Sequence, residues 1–235
     1  MKLILCIFLL LYPILSFAET PTEIVKTIEK KLMPPNITFS FKLTNHRTDG
    51  TVNSYVLSFK LKDLDQSRGY FLEPEREKGR EVLRQGEAIW TFVPSVGRSI
   101  RIADRDSFAG GDFSNADILR PDWTDKYAVT LAKETPNQWI FNLNSKSKDS
   151  AYNKMRLWID KNSKQPVQQT FYDAKGTLLK KCVYGPSKIF TGTERPALLV
   201  MYNVITKQKT ELEILSMKTQ QKHEDRIFAV GNLGK

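Results

Sequence analysis

The sequence predicts a mainly β fold with a few helices, in which one antiparallel sheet curls toward a barrel. Three observations carry this reading. Apolar and polar residues alternate with a period of two through most of the chain, clusters of Gly, Pro, Asn and Asp interrupt the alternation at short intervals, and helical spacing is confined to two brief stretches. A meandering sheet of about a dozen strands cannot stay flat, because each strand is rotated relative to its neighbour, so it bends toward closure. The short helices then cover its mouth.

The first helix is signalled by Thr20-Pro21-Thr22-Glu23, a capping box with Pro at the first helical position. Ile24, Ile28 and Leu32 follow at spacing four, with Val25 beside them, and Pro34-Pro35 ends the element. The period then changes to two. Ile37, Phe39, Phe41 and Leu43 alternate with polar residues, Asp49-Gly50 turns the chain, and Tyr55, Leu57, Phe59 and Leu61 alternate again, which makes a long β-hairpin. Further strands are expected at about 67–73, 79–85, 87–93, 98–103, 126–133, 138–144, 153–160, 166–173, 177–184, 197–204 and 209–217. Trp90 and Phe92 share one face of their strand, Ile100 and Ile102 share a face of the next, and Pro94, Ser95 and Gly97 join the two. A second, short helix is marked by Ser114 with Asp117 three residues later, and it stops at Pro121. No linker, repeat or composition break divides residues 19–235, so a single domain is expected there.

Residues 1–18 read as a cleavable signal peptide: Lys2 supplies the positive start, Leu3 to Leu15 an apolar run, and Ser16-Phe17-Ala18 the small-residue cleavage site. Export of a soluble protein by this route is expected, since no later stretch is long and apolar enough to span a bilayer. Of the two cysteines, Cys6 lies inside the signal segment, which leaves Cys182 without a partner for an internal disulfide. Stability must therefore come from a core. The net charge of +10 suits an anionic membrane surface or lipid headgroup, or a solvated surface that keeps the protein dispersed; no nucleic-acid-binding motif accompanies it.

Catalytic parts are sparse. His46, beside a turn, and His223, in a polar tail, are expected to be solvated, and neither has the neighbours of a nucleophile's base or a metal ligand. Asp104, Asp106, Asp112, Asp117, Asp122 and Asp125 crowd one region, but their spacing fits neither a calcium loop nor a glycosidase pair. They are expected to cap helices, make Asx turns and pair with Arg101, Arg105 and Arg120. Cys182, on an alternating strand, reads as a small core or surface residue. No enzyme activity, no metal and no cofactor are expected.

One segment carries more. From Arg68 to Tyr127 the order is a large apolar residue, Gly86, Ile89-Trp90, an aromatic, Pro94, Arg98 and an Ile100-Arg101-Ile102 strand. Ser107-Phe108-Ala109-Gly110-Gly111-Asp112-Phe113-Ser114 and an acidic residue before Ile118-Leu119 complete it. With the terminal Ile227-Phe228-Ala229-Val230-Gly231-Asn232-Leu233, this order resembles the outer-membrane lipoprotein-sorting, or LolA-like, family of periplasmic lipoprotein and lipid carriers. The resemblance implies a half-open antiparallel β-barrel whose concave apolar face is covered by a helical lid.

Periodicity alone leaves the aromatic residues as ordinary core filling or as the lining of a cavity. The resemblance favours a lining. On that reading Phe39, Phe41, Tyr55, Leu57, Phe59, Trp90, Phe92, Ile100, Ile102, Trp139 and Phe141 would wall a lipid slot. Phe108, Gly110, Gly111 and Phe113 would belong to a lid that hinges at the glycines, together with the first helix. Arg98, Arg101 and Arg105 would stand at the rim, toward phosphate or carbonyl groups or an acidic partner. The expected function is a periplasmic carrier that shuttles a lipoprotein or lipid toward the outer membrane, loaded by an inner-membrane transporter and touching membrane surfaces transiently. The alternative is an envelope binding module or lipid sensor that does not transport.

Overall fold

The computed structural model describes residues 19–119 and 121–235. The signal peptide expected at 1–18, and the pairing expected of Arg120, lie outside the described residues. Helix α1 (Pro21–Leu32) opens the fold, and its capping box is formed: Glu23 N–H donates to Thr20 Oγ1, and Thr20 N–H donates to the Glu23 carboxylate. The spacing read from the sequence gives it one buried stripe, Val25, Ile28 and Leu32, to which Glu29 is added.

The strands then run β1 (Ile37–His46), β2 (Val52–Leu61), β3 (Gln66–Glu73), β4 (Glu81–Gln85), β5 (Ala88–Val93) and β6 (Arg98–Ile102). After the short helices α2 (Asn115–Leu119) and α3 (Trp123–Lys126) come β7 (Tyr127–Glu134), β8 (Gln138–Ser145), β9 (Lys154–Asp160), β10 (Gln165–Tyr172) and β11 (Leu178–Tyr184). The last are β12 (Ser187–Phe190), β13 (Thr193–Pro196), β14 (Leu198–Asn203) and β15 (Lys209–Lys218). Thirteen strands form one antiparallel sheet in the order β6-β5-β4-β3-β2-β1-β15-β14-β11-β10-β9-β8-β7, while β12 and β13 make a separate ribbon. The ends of the order, β6 and β7, do not pair with each other, so the barrel is open along that seam. Residues 103–126, which carry α2 and α3, connect the two edges. Register shifts in β1, β2, β7 and β10 add the local bending that curls so long a sheet.

The concave face holds the main core. Pairs such as Phe39↔Phe59 and Phe41↔Leu57 place odd-numbered residues of β1 and β2 inward, and Leu212, Ile214, Phe141, Leu157, Phe171 and Met201 continue the same face around the sheet. A second, smaller core lies on the convex face. There Leu83, Trp90 and Phe92 pack against Ile227, Phe228, Val230 and Leu233 of the C-terminal tail. The tail is strapped down by Arg68, which donates to the carbonyls of Ile227 (2.9 Å) and Asn232 (2.7 Å) and pairs with Glu81.

That second core corrects one expectation: Trp90 and Phe92 do not wall the interior. In β5 it is Ile89 and Thr91 that point inward, and the alternation therefore sends Trp90 and Phe92 to the outer face. Two others also change. His223 Nε2–H donates to the Ile37 carbonyl (3.0 Å) and the ring meets Phe228 edge-on, and His46 lies 3.5 Å from Glu211, so neither histidine is simply solvated. Asp104 pairs with the fully buried Arg84 of β4 rather than with a neighbour in sequence.

Candidate ligand-binding interior

The concave face has two halves. Under β1 to β3 the rings of Phe39, Phe41 and Phe59 stack with centroids 5.5–5.8 Å apart. Phe108 reaches into this group from the 103–126 segment, 6.3 Å from Phe59 and 6.2 Å from Phe71, and is only 3% exposed. Gly69 makes the stack possible: a Cβ there would sit 2.2 Å from the tip of the Phe59 ring. Space remains in this half beside Phe71 and Phe108.

The other half keeps space as well. A cavity of about 80 Å³ is walled by Phe39, Phe41, Phe171, Cys182, Met201, Leu212 and Ile214 of the sheet and by Phe113 and Ile118 of the covering segment, with Leu32 and Met33 at the end of α1 closing it. Such a volume holds only a few methylenes. Asp117, Gln169, Tyr184 and Arg195 bring polar groups to it. Burial pushes the Asp117 carboxyl up despite hydrogen bonds from Ser114 N–H and Tyr152 O–H, both 2.8 Å. Burial also holds the Tyr152 and Tyr184 phenols and the Cys182 thiol well above their usual values, so these phenols and the thiol are neutral at ordinary pH.

A second, larger cleft of about 780 Å³ follows the open seam. Its walls come from the end of β6 and the loop after it, from α2 and α3, and from the loop between β8 and β9. Arg101, Arg105 and Lys126 line it with Asp104, Asp106, Asp122 and Asp149, so the rim carries both signs of charge.

The expected lid residues lie where α1 and the 103–126 segment cover the sheet, but the loop is held by more than apolar contact. Asn45 Nδ2 donates to the Ala109 carbonyl (3.0 Å), and Asp112 N–H donates to Thr210 Oγ1 (2.8 Å). Asn203 Nδ2 donates to the Asp112 carboxylate (3.1 Å), and Lys180 Nζ to its carbonyl (2.6 Å). Gly110 has a positive φ of 70°, as a turn glycine does. Gly111 has another reason to be glycine: a Cβ would lie 2.4 Å from Asn45 Oδ1, so it allows close approach to β1. The cover is continued by Glu29 of α1, which accepts from Thr124 Oγ1 (2.6 Å) and Thr124 N–H (3.1 Å).

Of the expected wall, Phe39, Phe41, Leu57, Phe59 and Phe141 are buried in the main core, and Tyr55, Ile102 and Trp139 pack partly buried against it. Ile100 is on the edge strand and 41% exposed. Arg101 and Arg105 are at the seam cleft, whereas Arg98 stands at the β5–β6 turn and does not line it. Residues that the reading missed include Phe171, Met201 and Arg195. Alternation in β10 and β14 pointed to the first two; nothing in the sequence marks Arg195. Among the described residues no cluster of His, Cys, Asp or Glu is arranged to hold a metal ion.

A family model described as an uncharacterized protein matches residues 63–235. No curated protein matches the chain. Three crystal structures are similar over nearly their whole length. A LolA superfamily protein from Nitrosomonas europaea has 24% identity and a TM-score of 0.81, covering 90% of this chain and 98% of its own. A putative outer membrane lipoprotein-sorting protein domain from Vibrio parahaemolyticus has 21% identity and a TM-score of 0.80, with 92% and 98% covered. A DUF1329 family protein from Desulfovibrio piger has 19% identity and a TM-score of 0.82, with 92% and 100% covered. The open seam, the lidded concave face and these matches agree, and the chain belongs to the family that matches it over residues 63–235, with a LolA-like fold.

Proposed function

We propose that the protein is a non-catalytic periplasmic carrier that takes the acyl chains of a lipoprotein or lipid into the concave interior and delivers them toward the outer membrane. The observation that carries this reading is how the interior is closed. Its apolar face is covered by α1 and the 103–126 segment, not by further pairing of the sheet, and an apolar cavity of about 80 Å³ persists beneath that cover. A chain entering there replaces Phe113, Ile118 and the end of α1 against the same wall.

Energetics favour such an exchange over an empty slot. Each buried methylene contributes about 0.8 kcal/mol, so a chain of a dozen or more would bind by roughly 10 kcal/mol if nothing were displaced. Release would then be too slow for a carrier. When the protein's own side chains fill the space in the free form, loading trades one apolar contact for another and the net affinity becomes moderate. Loading by an inner-membrane transporter and brief contact with membrane surfaces through Arg101 and Arg105 belong to the same proposal. Two of the similar structures, one a LolA superfamily protein and the other a putative lipoprotein-sorting domain, support it.

Native mass spectrometry of protein isolated from the periplasm tests the proposal. Bound lipid or acylated peptide, released on delipidation and recovered on exposure to lipid, is the expected result; protein free of lipid that takes up none would end it. A second reading rests on the seam. The unpaired edges of β6 and β7 flank a cleft of about 780 Å³ rimmed by charges of both signs, which suits an extended partner segment and an envelope module that does not transport. That reading gains if the isolated protein carries a peptide and no lipid.

A further inference from the structure

Two arginines are buried on the concave side, and they are partnered differently. Arg84 has its carboxylate, Asp104, and donates to the Gly86 carbonyl. Arg195, on the β12–β13 ribbon, is 7% exposed and has no carboxylate partner among the described residues. Its Nη1 donates to the Leu32 carbonyl (2.6 Å) and lies 3.9 Å and 3.8 Å from the sulfurs of Met33 and Met217. Its Nε, although buried, has no hydrogen-bond partner among them. The side chain lines the cavity of about 80 Å³, whose one carboxylate, Asp117, is engaged by Ser114 and Tyr152 and makes no ion pair with it.

A guanidinium carries five N–H donors in a planar fork, and leaving them unmatched in an apolar interior is costly. The Leu32 carbonyl, at the C-terminal end of α1, offsets part of that cost. Burial lowers the Arg195 pKa to about 10, which still leaves it charged at neutral pH. An unpaired cation walled by Phe, Met and Leu side chains fits an anion that brings its own apolar body.

Building on the carrier reading, we propose that Arg195 binds the anionic headgroup, a carboxylate or phosphate monoester, of a single-chain amphiphile whose tail occupies the interior. A carboxylate or phosphate group offers two oxygens that accept two donors of the fork side by side, which a neutral hydroxyl or ester does not. The headgroup lies inward and beneath α1. Because Arg195 also holds the Leu32 carbonyl, a headgroup that recruits the fork competes with that bond and loosens the end of α1.

The test uses the delipidated protein of residues 19–235 with displacement of Nile red by oleic acid, oleyl alcohol and oleoyl lysophosphatidic acid. The three share a chain and differ in headgroup, and the acid and phosphate arms separate the two sources of anion. The wild type is expected to bind at least one anion tenfold or more tighter than the alcohol. Arg195→Met should bring the anions to the level of the alcohol, while Arg195→Lys keeps part of the preference. Melting followed by circular dichroism accompanies each variant, and Arg195→Met is expected to melt no lower than the wild type. Equal binding of anions and alcohol by the wild type overturns the anchor and leaves the carrier standing. A preference that survives in Arg195→Met also overturns it. Binding of none of the three overturns anchor and carrier together. Should Arg195→Met fail to fold, the wild-type comparison of acid, phosphate and alcohol decides alone.

Discussion

Single residues decide how firmly the cover is held, and Gly111 is the clearest. The chain passes so close to β1 there that an added methyl meets Asn45 Oδ1 at 2.4 Å and Thr210 Oγ1 at 3.0 Å, on the same two side chains that fasten Ala109 and Asp112. Gly111→Ala is expected to lower stability by about 1–3 kcal/mol, the usual result of forcing volume into packed surroundings. Urea unfolding checks this; an unchanged midpoint would mean that the loop stands off the sheet. Glu29 gives a pH dependence. Desolvation raises its pKa above the ordinary 4.5, so the folded form binds the proton more tightly than the unfolded form does. Its contribution is full below pH 4.5 and is lost as the pH climbs through the raised value. Glu29→Gln keeps an acceptor for Thr124 and has no charge to bury, so its stability relative to the wild type should rise between acidic and neutral pH. A difference between the two that does not vary with pH would show that Glu29 stays ionised without penalty.

Among the elements, α1 is held by its ends. Thr20 accepts from Glu23 N–H at the start, and the Leu32 carbonyl receives Arg195 at the finish. Thr20→Ala is expected to cost roughly 1 kcal/mol, read from the shift of the urea midpoint. If α1 is a cover that opens by itself, hydrogen exchange will speed up in its amides before those of β1 and β2; a uniform change across the chain would make α1 part of the global unit. This helix, the long β1–β2 hairpin and the strand series were legible because capping and period-two alternation are local signals. The β12–β13 ribbon was not, since each strand spans only four residues, although Thr191 and Gly192, both at positive φ, form the turn that such a hairpin uses. Helix α3 was hidden by Pro121, which ends one helix without forbidding another. Trp90 and Phe92 were assigned to the wrong face for a different reason. Alternation separates two faces but does not say which is inside, and here the outer face is apolar as well because the tail covers it. The interior role of Arg195 depends on what surrounds it, and no spacing reveals that.

At the scale of the whole molecule the question is whether the cover moves, and Cys182 supplies a reporter that leaves the fold untouched. It is the only cysteine among the described residues, it is 1% exposed, and it lines the cavity under Phe113 and Ile118. Burial raises its thiol pKa, so in the closed form it is both shielded and largely protonated, and neither favours alkylation. Labelling by a maleimide therefore has to wait for opening. A carrier whose cover lifts from an intact sheet should label at low urea concentrations that leave the circular dichroism of the sheet unchanged, and bound oleic acid should slow the reaction about tenfold or more by occupying the same space. Phe113→Ala should speed it, since that ring lines the same cavity as Cys182 from the covering segment. If labelling instead follows global unfolding in every condition, the interior is a core and not a compartment, because the only route to Cys182 is then through loss of the sheet.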